Sequence, residues 1–340
     1  MKKYLIISCL SLSIFAFRKS TDYNEEIKPA DIKTAVNKSL PLLQKSSHEF
    51  LENATSCHSC HNQGIGAVAL AMGKQKGYAV SDGIITEALD STCNFWKTYA
   101  NTQNLYEQDD PVAIVMTGNY DMWALSSNHY KANKTISLLA IDIMHKQTPD
   151  GSWMSPGQRP PLEYYSFTAT ALTIKNIQEY VPPVWHAEIQ QRIDKARHWL
   201  TQAKPEANEE KAFQLLGLTW CKGDKTFIAQ QAKKLLASQH ADGGWSQLDS
   251  LKTDSYATGQ SLYALNQSGQ LNVTEAAYQK GLRFLLNTQL ADGSWHVKTR
   301  SYPFVPYISS GFPHGDDQFI SATGTNWAIM ALMIAGNGHD

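Results

Sequence analysis

Cys57-His58-Ser59-Cys60-His61 sets two thiols three positions apart and follows the second directly with an imidazole. C-x-x-C-H is the attachment signature of haem c. Two thiols at that spacing can add across the two vinyl groups of the macrocycle, while His61 turns beneath it to ligate iron. The same five residues fit two other chemistries: a redox dithiol outside the cytoplasm, or a zinc site using Cys57, Cys60, His58 and His61. A thioredoxin-type dithiol needs a βαβ context, and the sequence pattern contains none. The cysteines are Cys9, Cys57, Cys60, Cys93 and Cys221, far too few for a disulfide framework.

A second group of reactive side chains lies in the long connection 301–317, which carries Tyr302, Phe304, Tyr307, Phe312, His314, Asp316 and Asp317. If this connection faces the C-x-x-C-H segment, His314 is the imidazole best placed as a distal ligand to iron. Met72, about three helical turns beyond the motif, is a weaker candidate. An open distal position would favour small-molecule chemistry over electron transfer. The plainer reading of His314 is a loop histidine bonded to a carbonyl. Asp109-Asp110, Glu163-Tyr164-Tyr165, Asp254 and Tyr256 open helical patterns, where acids offset the helix dipole. His48, His129, His145, His186, His198, His240, His296 and His339 lack ligand spacing and read as surface or packing residues.

The elements that must position these groups follow a repeat. Gln147-x3-Gly151-x-Trp153, Gln239-x3-Gly243-x-Trp245 and Gln289-x3-Gly293-x-Trp295 share one spacing, with Asp150, Asp242 and Asp292 before each glycine. Asp-Gly after the last apolar turn is helix-stop chemistry. Two sets of helices alternate around these turns. Amphipathic patterns cover roughly 31–52, 83–103, 131–147, 187–203, 225–239 and 274–289. Patterns rich in small and apolar residues cover roughly 62–76, 111–126, 164–178, 209–221, 254–268 and 318–335. Low charge and small side chains suit the second set to burial on several sides, hence an inner layer within an outer one. A helical hairpin cannot bury its apolar face alone, so neighbours must stack. With no capping repeat evident, the expectation is an all-α, closed (α/α)6 toroid of six hairpins; an open superhelix is the alternative. In a closed ring the sixth repeat adjoins the first, which would bring loop 301–317 beside His61.

The segment Lys280-Gly281-x2-Phe284-Leu285-x3-Gln289-x3-Gly293-x-Trp295 resembles the QW repeat of the squalene–hopene cyclase and terpenoid cyclase superfamily, and 147–153 and 239–245 keep its Gln, Gly and Trp. The resemblance covers about residues 130–340. It implies an α/α toroid in which the Gln and Trp side chains are structural, the amide bridging helix ends and the ring stacking over the turn. It also implies an acidic D-x-D-D motif whose middle Asp protonates the substrate alkene. His314-Gly315-Asp316-Asp317 is the nearest match, with Asp316 at the proton-donor position and His314 in place of the first Asp.

Thirty basic against 31 acidic side chains leave a net charge of −1, which gives no electrostatic footprint for nucleic acid. Residues 1–20 read as a signal peptide, with Lys2 and Lys3 before an apolar run. Cys9 in that run is a faint lipidation candidate. No later stretch is apolar enough for a membrane span. Residues 21–340 then form one toroid domain, exported to the periplasm or cell envelope, carrying the haem-type motif at 57–61. Three functions remain open at this level. The first is a haem c protein that transfers electrons to a redox partner or oxidises an apolar small molecule. The second is a cyclase-type isomerase using Asp316, with Asp317 beside it. The third is a non-catalytic binding module.

Overall fold

The computed structural model describes residues 26–54, 58, 60–102, 111–155, 157–302 and 307–338. The expected signal segment, Cys57, Phe304, Asp109, Asp110 and His339 lie outside the described residues, as does the side chain of Cys60.

Twelve α-helices make up the described chain: α1 Pro29–Asn53, α2 Ile65–Gln75, α3 Asp82–Thr102, α4 Pro111–Ser127, α5 Lys134–His145, α6 Ser166–Tyr180, α7 His186–Gln202, α8 Asn208–Trp220, α9 Lys225–Ala237, α10 Ser255–Gln267, α11 Ala276–Thr288 and α12 Gln318–Ala335. The odd-numbered helices bury one stripe. In α7 that stripe is Ile189, Ile193, Ala196 and Leu200; in α11 it is Tyr278, Gly281, Leu282 and Leu285. The even-numbered helices are buried almost all round, and α12 buries every residue from Ile320 to Met333. Several starts are capped by short polar side chains. Asn133, Asp224 and Asp254 accept from the N–H of Ile136, Phe227 and Ala257 at 3.0, 2.7 and 2.8 Å. No helix of the described residues is long and apolar enough to cross a membrane.

Each even-numbered helix packs on the next, α2 on α4 and so on to α10 on α12, and α12 returns to α2. The ring is therefore closed, and the open superhelix is excluded. Outside it, α1 packs on α3, α3 on α5 and α11 on α1.

The Gln–Gly–Trp turns supply the joints. Trp153, Trp245 and Trp295 donate their indole N–H to the carbonyls of Ile143, Leu235 and Leu285 in the preceding outer helix, at 2.7, 2.8 and 3.0 Å. Their backbone N–H groups donate to Thr170, Thr258 and Thr325 of the following inner helix. The Gln amides reach forward to the next outer helix: Gln147 to Arg192 O at 2.9 Å and Gln239 to Ala277 O at 2.8 Å. Gln289 donates to Ala35 O of α1 at 2.8 Å, which carries the last repeat onto the first. The glycines at these turns have φ of +99°, +92° and +92°, and a Cβ there would fall 2.5–2.6 Å from the carbonyl oxygens of Lys195, Lys280 and Lys38. Only glycine satisfies both the dihedral and the approach.

Rings from the inner helices fill the axis. Trp327 lies 5.9 Å from Trp123, 5.4 Å from Tyr263, 6.3 Å from Phe213 and 6.5 Å from Tyr256 between centroids, mostly at the steep angles that aromatic quadrupoles favour.

Gly293→Ala should cost about 3 kcal/mol or more, because it adds a steric clash with α1 to the left-handed strain. Gly269→Ala, with φ +69° and nothing within 4 Å of its Cβ, should cost about 1–2 kcal/mol. Urea unfolding of both variants checks this; equal losses would mean that the approach of α1 is not what excludes a side chain.

Candidate functional site

The connections that lead into the even-numbered helices meet one another at one rim of the ring. Ser301 Oγ donates to Gln158 O, Arg300 Nε to Gln247 Oε1 at 2.8 Å, and the Asn208 N–H to Gln247 O at 3.0 Å. Asn53, at the end of α1, donates to Ser309 O at 3.0 Å. Ser309, in the described part of loop 301–317, thus lies against the first repeat, as ring closure requires. Three polar groupings occupy this rim.

The first centres on Glu209, fully buried in the opening turn of α8. Its carboxylate accepts from Thr168 Oγ1 at 2.8 Å, Tyr256 OH at 2.9 Å and Gln260 Nε2 at 2.5 Å. Burial nevertheless dominates. Desolvation pushes the Glu209 carboxyl up to about 7, against the pull of those three bonds and the Arg300 charge. Asp254, the cap of α10, is likewise raised by burial, to about 6, although Ala257 N–H and Gln247 hold it. Arg300 bonds Gln247, which bonds Asp254 Oδ2 at 2.9 Å, and its charge also acts on Glu209. Its Nη2 is buried with no hydrogen-bond partner. Tyr256 joins Glu209 to the aromatic axis, because its hydroxyl meets the carboxylate and its ring meets Trp327.

The second grouping surrounds the C-x-x-C-H segment. A π-helical turn, Cys60–Gly64, leads into α2. His58 and Asp121 are both buried, with His58 Nε2 2.9 Å from Asp121 Oδ1. The other oxygen of Asp121 accepts from Trp96 Nε1 at 2.7 Å, and Phe95 stacks on the His58 ring at 5.0 Å. His61 sits elsewhere, between the ring edges of Phe50 and Phe319 at 5.6 and 5.8 Å. Burial, helped by the Arg159 charge, drops its imidazole to about 3, so it is neutral. Its Nδ1 is buried and has no partner. His58 and His61 therefore face different neighbours, and among the described residues no cluster of three or more His, Cys, Asp or Glu could hold a metal ion.

The third grouping is the strap before α12. His314 adopts φ +86°, bonds Ser294 at 2.8 Å and stacks on His296 at 4.8 Å. Burial and the neighbouring His296 lower its pKa against the pull of Asp292 and Asp317. Its partners are Ser294, His296 and Phe312, and it shares none of them with His61. Asp316 is exposed. Burial raises Asp317, but bonds from His296, Thr299 N–H and Lys298 outweigh it and the carboxyl ends below its ordinary range. Tyr302 and Tyr307 are exposed, Phe312 is buried, and Met72 lines a cleft with Gln267 and Ile334.

Sequence reading did not single out Glu209, Asp121 or Arg300. Asp121 did leave a signal, as an acid in the middle of the otherwise uncharged pattern 111–126. Glu209 sits in an acidic first turn, where a dipole role was the simpler account.

Below its unfolded pKa of about 4.3, Glu209 is protonated in both the folded and unfolded states. Between there and about 7 the folded protein retains a proton that the unfolded chain has lost, so this contribution to stability declines as pH rises. His61 acts oppositely, favouring the folded state increasingly from about pH 3 to 6.5. Comparison with Glu209→Gln isolates the carboxyl: wild type should lose stability relative to the variant from pH 5 to 7.5. A constant difference in urea midpoints over that range would contradict the raised pKa.

No family model matches the chain. Its fold is similar to that of the type II terpene cyclase MstE from Scytonema. The apo enzyme superposes with a TM-score of 0.55 at 15% identity, covering 90% of this chain and 98% of that one. A variant in complex with its product merosterolic acid A gives 0.56 at 14%, covering 90% and 97%. A variant holding its substrate geranylgeranyl dihydroxybenzoate gives 0.55 at 15%, covering 90% and 98%. A protein from Actinoplanes gives 0.56 at 13%, covering 91% and 99%. At these identities the likeness is one of architecture: the chain is a terpene-cyclase-like α/α toroid.

Proposed function

We propose that this protein is a cyclase-type enzyme that receives an apolar, isoprenoid-sized molecule at the inner-helix rim and acts on a polar group of that molecule by proton transfer from Glu209. The observation that carries the reading is a buried carboxyl, proton-bearing near neutrality, bonded to a tyrosine whose ring abuts the aromatic axis. General acids work best with a pKa near the operating pH. The fold similarity adds support, since MstE takes a geranylgeranyl-bearing substrate.

Acid strength narrows the chemistry. A carboxyl with a pKa near 7 is a weak acid, and an unactivated alkene is a very weak base. An oxygen function, such as an epoxide, suits this donor far better. Asp316, the donor implied by the terpenoid cyclase resemblance, is exposed and serves as the comparison. Squalene and its 2,3-epoxide are the probes. The epoxide should be converted and squalene should not, with kcat/KM falling on the order of 100-fold in Glu209→Gln and little in Asp316→Asn. Absence of product from both probes, or an unaffected Glu209→Gln, would overturn the proposal. Loss confined to Asp316→Asn would move the acid to that residue.

A second reading is favoured by one observation, the neutral imidazole of His61 directly after C-x-x-C, whose buried Nδ1 has no hydrogen-bond partner. A ligating histidine must be neutral, and His61 meets that condition. Cys57, Cys60 and His61 would hold haem c, which would supply one-electron chemistry in an exported protein. The enclosure of His61 by Phe50 and Phe319 means that these rings would have to part for a macrocycle. Protein produced with haem-attachment machinery should then give a pyridine haemochrome α-band that the Cys57→Ser, Cys60→Ser double variant lacks. No band from wild type removes this reading.

A further inference from the structure

Beside the rim, a cavity of about 460 Å³ is walled by Tyr164, Tyr165, Phe167 and Trp199 and edged by Glu206 and Glu210. It uses neither Glu209 nor the C-x-x-C-H segment, and it lies within the range of volumes that enclose small ligands. The rings form two angled pairs. Tyr164 and Tyr165 meet at 74° with centroids 4.9 Å apart, and Phe167 and Trp199 at 49° and 4.7 Å. Tyr164 is 45% exposed, and Ser166 lies between the two ring pairs in the same wall.

The charges at the edge are one-sided. Glu206 is exposed, and among the described residues neither glutamate is in a salt bridge. Glu210 spends one oxygen on the backbone N–H groups of Glu206 and Ala207, at 2.8 and 2.9 Å. Two full negative charges exceed the roughly half-unit positive pole of α8. Of the nearby cations, Lys211 faces Asp249 at 3.8 Å. Arg300 reaches the hydroxyl of Tyr165 while being held by Gln247. These rings line the cavity, and an ammonium ion stripped of tight hydration is what aromatic faces attract. Methylation suits the ligand further, because methyl groups can pack on the rings while the charge faces the carboxylates.

We propose that this cavity is a binding site for an organic cation of the quaternary-ammonium class, its methyl groups against the rings of Tyr164, Tyr165, Phe167 and Trp199 and its charge facing Glu206 and Glu210. The proposal is independent of any reaction at Glu209, and its test reads binding alone. Choline is the probe and 3,3-dimethylbutan-1-ol its uncharged match in shape, each titrated into the full chain by calorimetry and tryptophan fluorescence. Choline should bind about tenfold or more tightly than the alcohol, and added salt should weaken only choline. Glu206→Gln and Tyr164→Ala change exposed side chains, so circular dichroism should be unaltered. Each should weaken choline several-fold while leaving the alcohol nearly unaffected by the glutamate change. Equal binding of the two probes overturns the proposal. So does choline binding that both variants leave intact, or no choline binding at about 50 mM.

Discussion

The architecture depends on a close approach between backbones. At each Gln–Gly–Trp turn a glycine lies so near the next outer helix that the space for a side chain is taken by a lysine carbonyl, from Lys195, Lys280 or Lys38. The glutamine amide spans the same junction, while the tryptophan ties its own outer helix to the following inner one. A hairpin on its own has no such partner. Repetition of the joint fixes the angle between hairpins, and that angle decides whether the chain spirals or closes. Here the glutamine of the last repeat finds α1, and the ring closes with its inner helices oriented alike.

That shared orientation gathers chemistry at one rim. Segments far apart in sequence deliver Glu209, Asp254, Arg300, His61 and the 301–317 strap to it. The interior just below is aromatic and buried, so an acid placed at the boundary loses solvation on one side while polar neighbours hold it on the other. Glu209 and Asp317 mark the two outcomes. For Glu209, burial outweighs three hydrogen bonds and pushes the carboxyl up to about 7. For Asp317, His296, Lys298 and the Thr299 N–H outweigh burial and the charge is retained. The two acids therefore differ in kind. One can give up a proton near neutral pH, and the other is a fixed anion that fastens the strap to its neighbours.

The fold was legible because its signals are local and periodic. Alternating helices, one with a single apolar stripe and the next apolar all round, follow directly from side-chain type, and the Gln–Gly–Trp spacing marks their joints. The expected spans agree with α1–α12 to within a few residues. The site was less legible because it is defined by burial and by partners distant in sequence. Nothing beside Glu209 in the chain announces Thr168, Tyr256 or Gln260, which lie 41, 47 and 51 residues away. Asp121 was readable in principle as a lone acid inside an apolar helix, yet its pairing with His58 and Trp96 required the folded ring. The adjacency of loop 301–317 to the first repeat did follow from topology. The orientation of His314 toward Ser294 and His296 did not.

Closure by Gln289 on Ala35 also bears on how the protein is made. The two residues are 254 positions apart, so α1 meets α2 and α3 long before α11 and α12 exist to cover its other flank. Until α11 and α12 appear, its inward face and that of α2 have a vacant flank. Contacts of such long separation are slow to form, and unfinished edges of this kind invite association with other nascent chains. Ser39, Ser46 and Ser47 lie within the buried stripe of α1 among its apolar residues, which tempers that exposure: they leave the waiting surface wettable until the circle is complete.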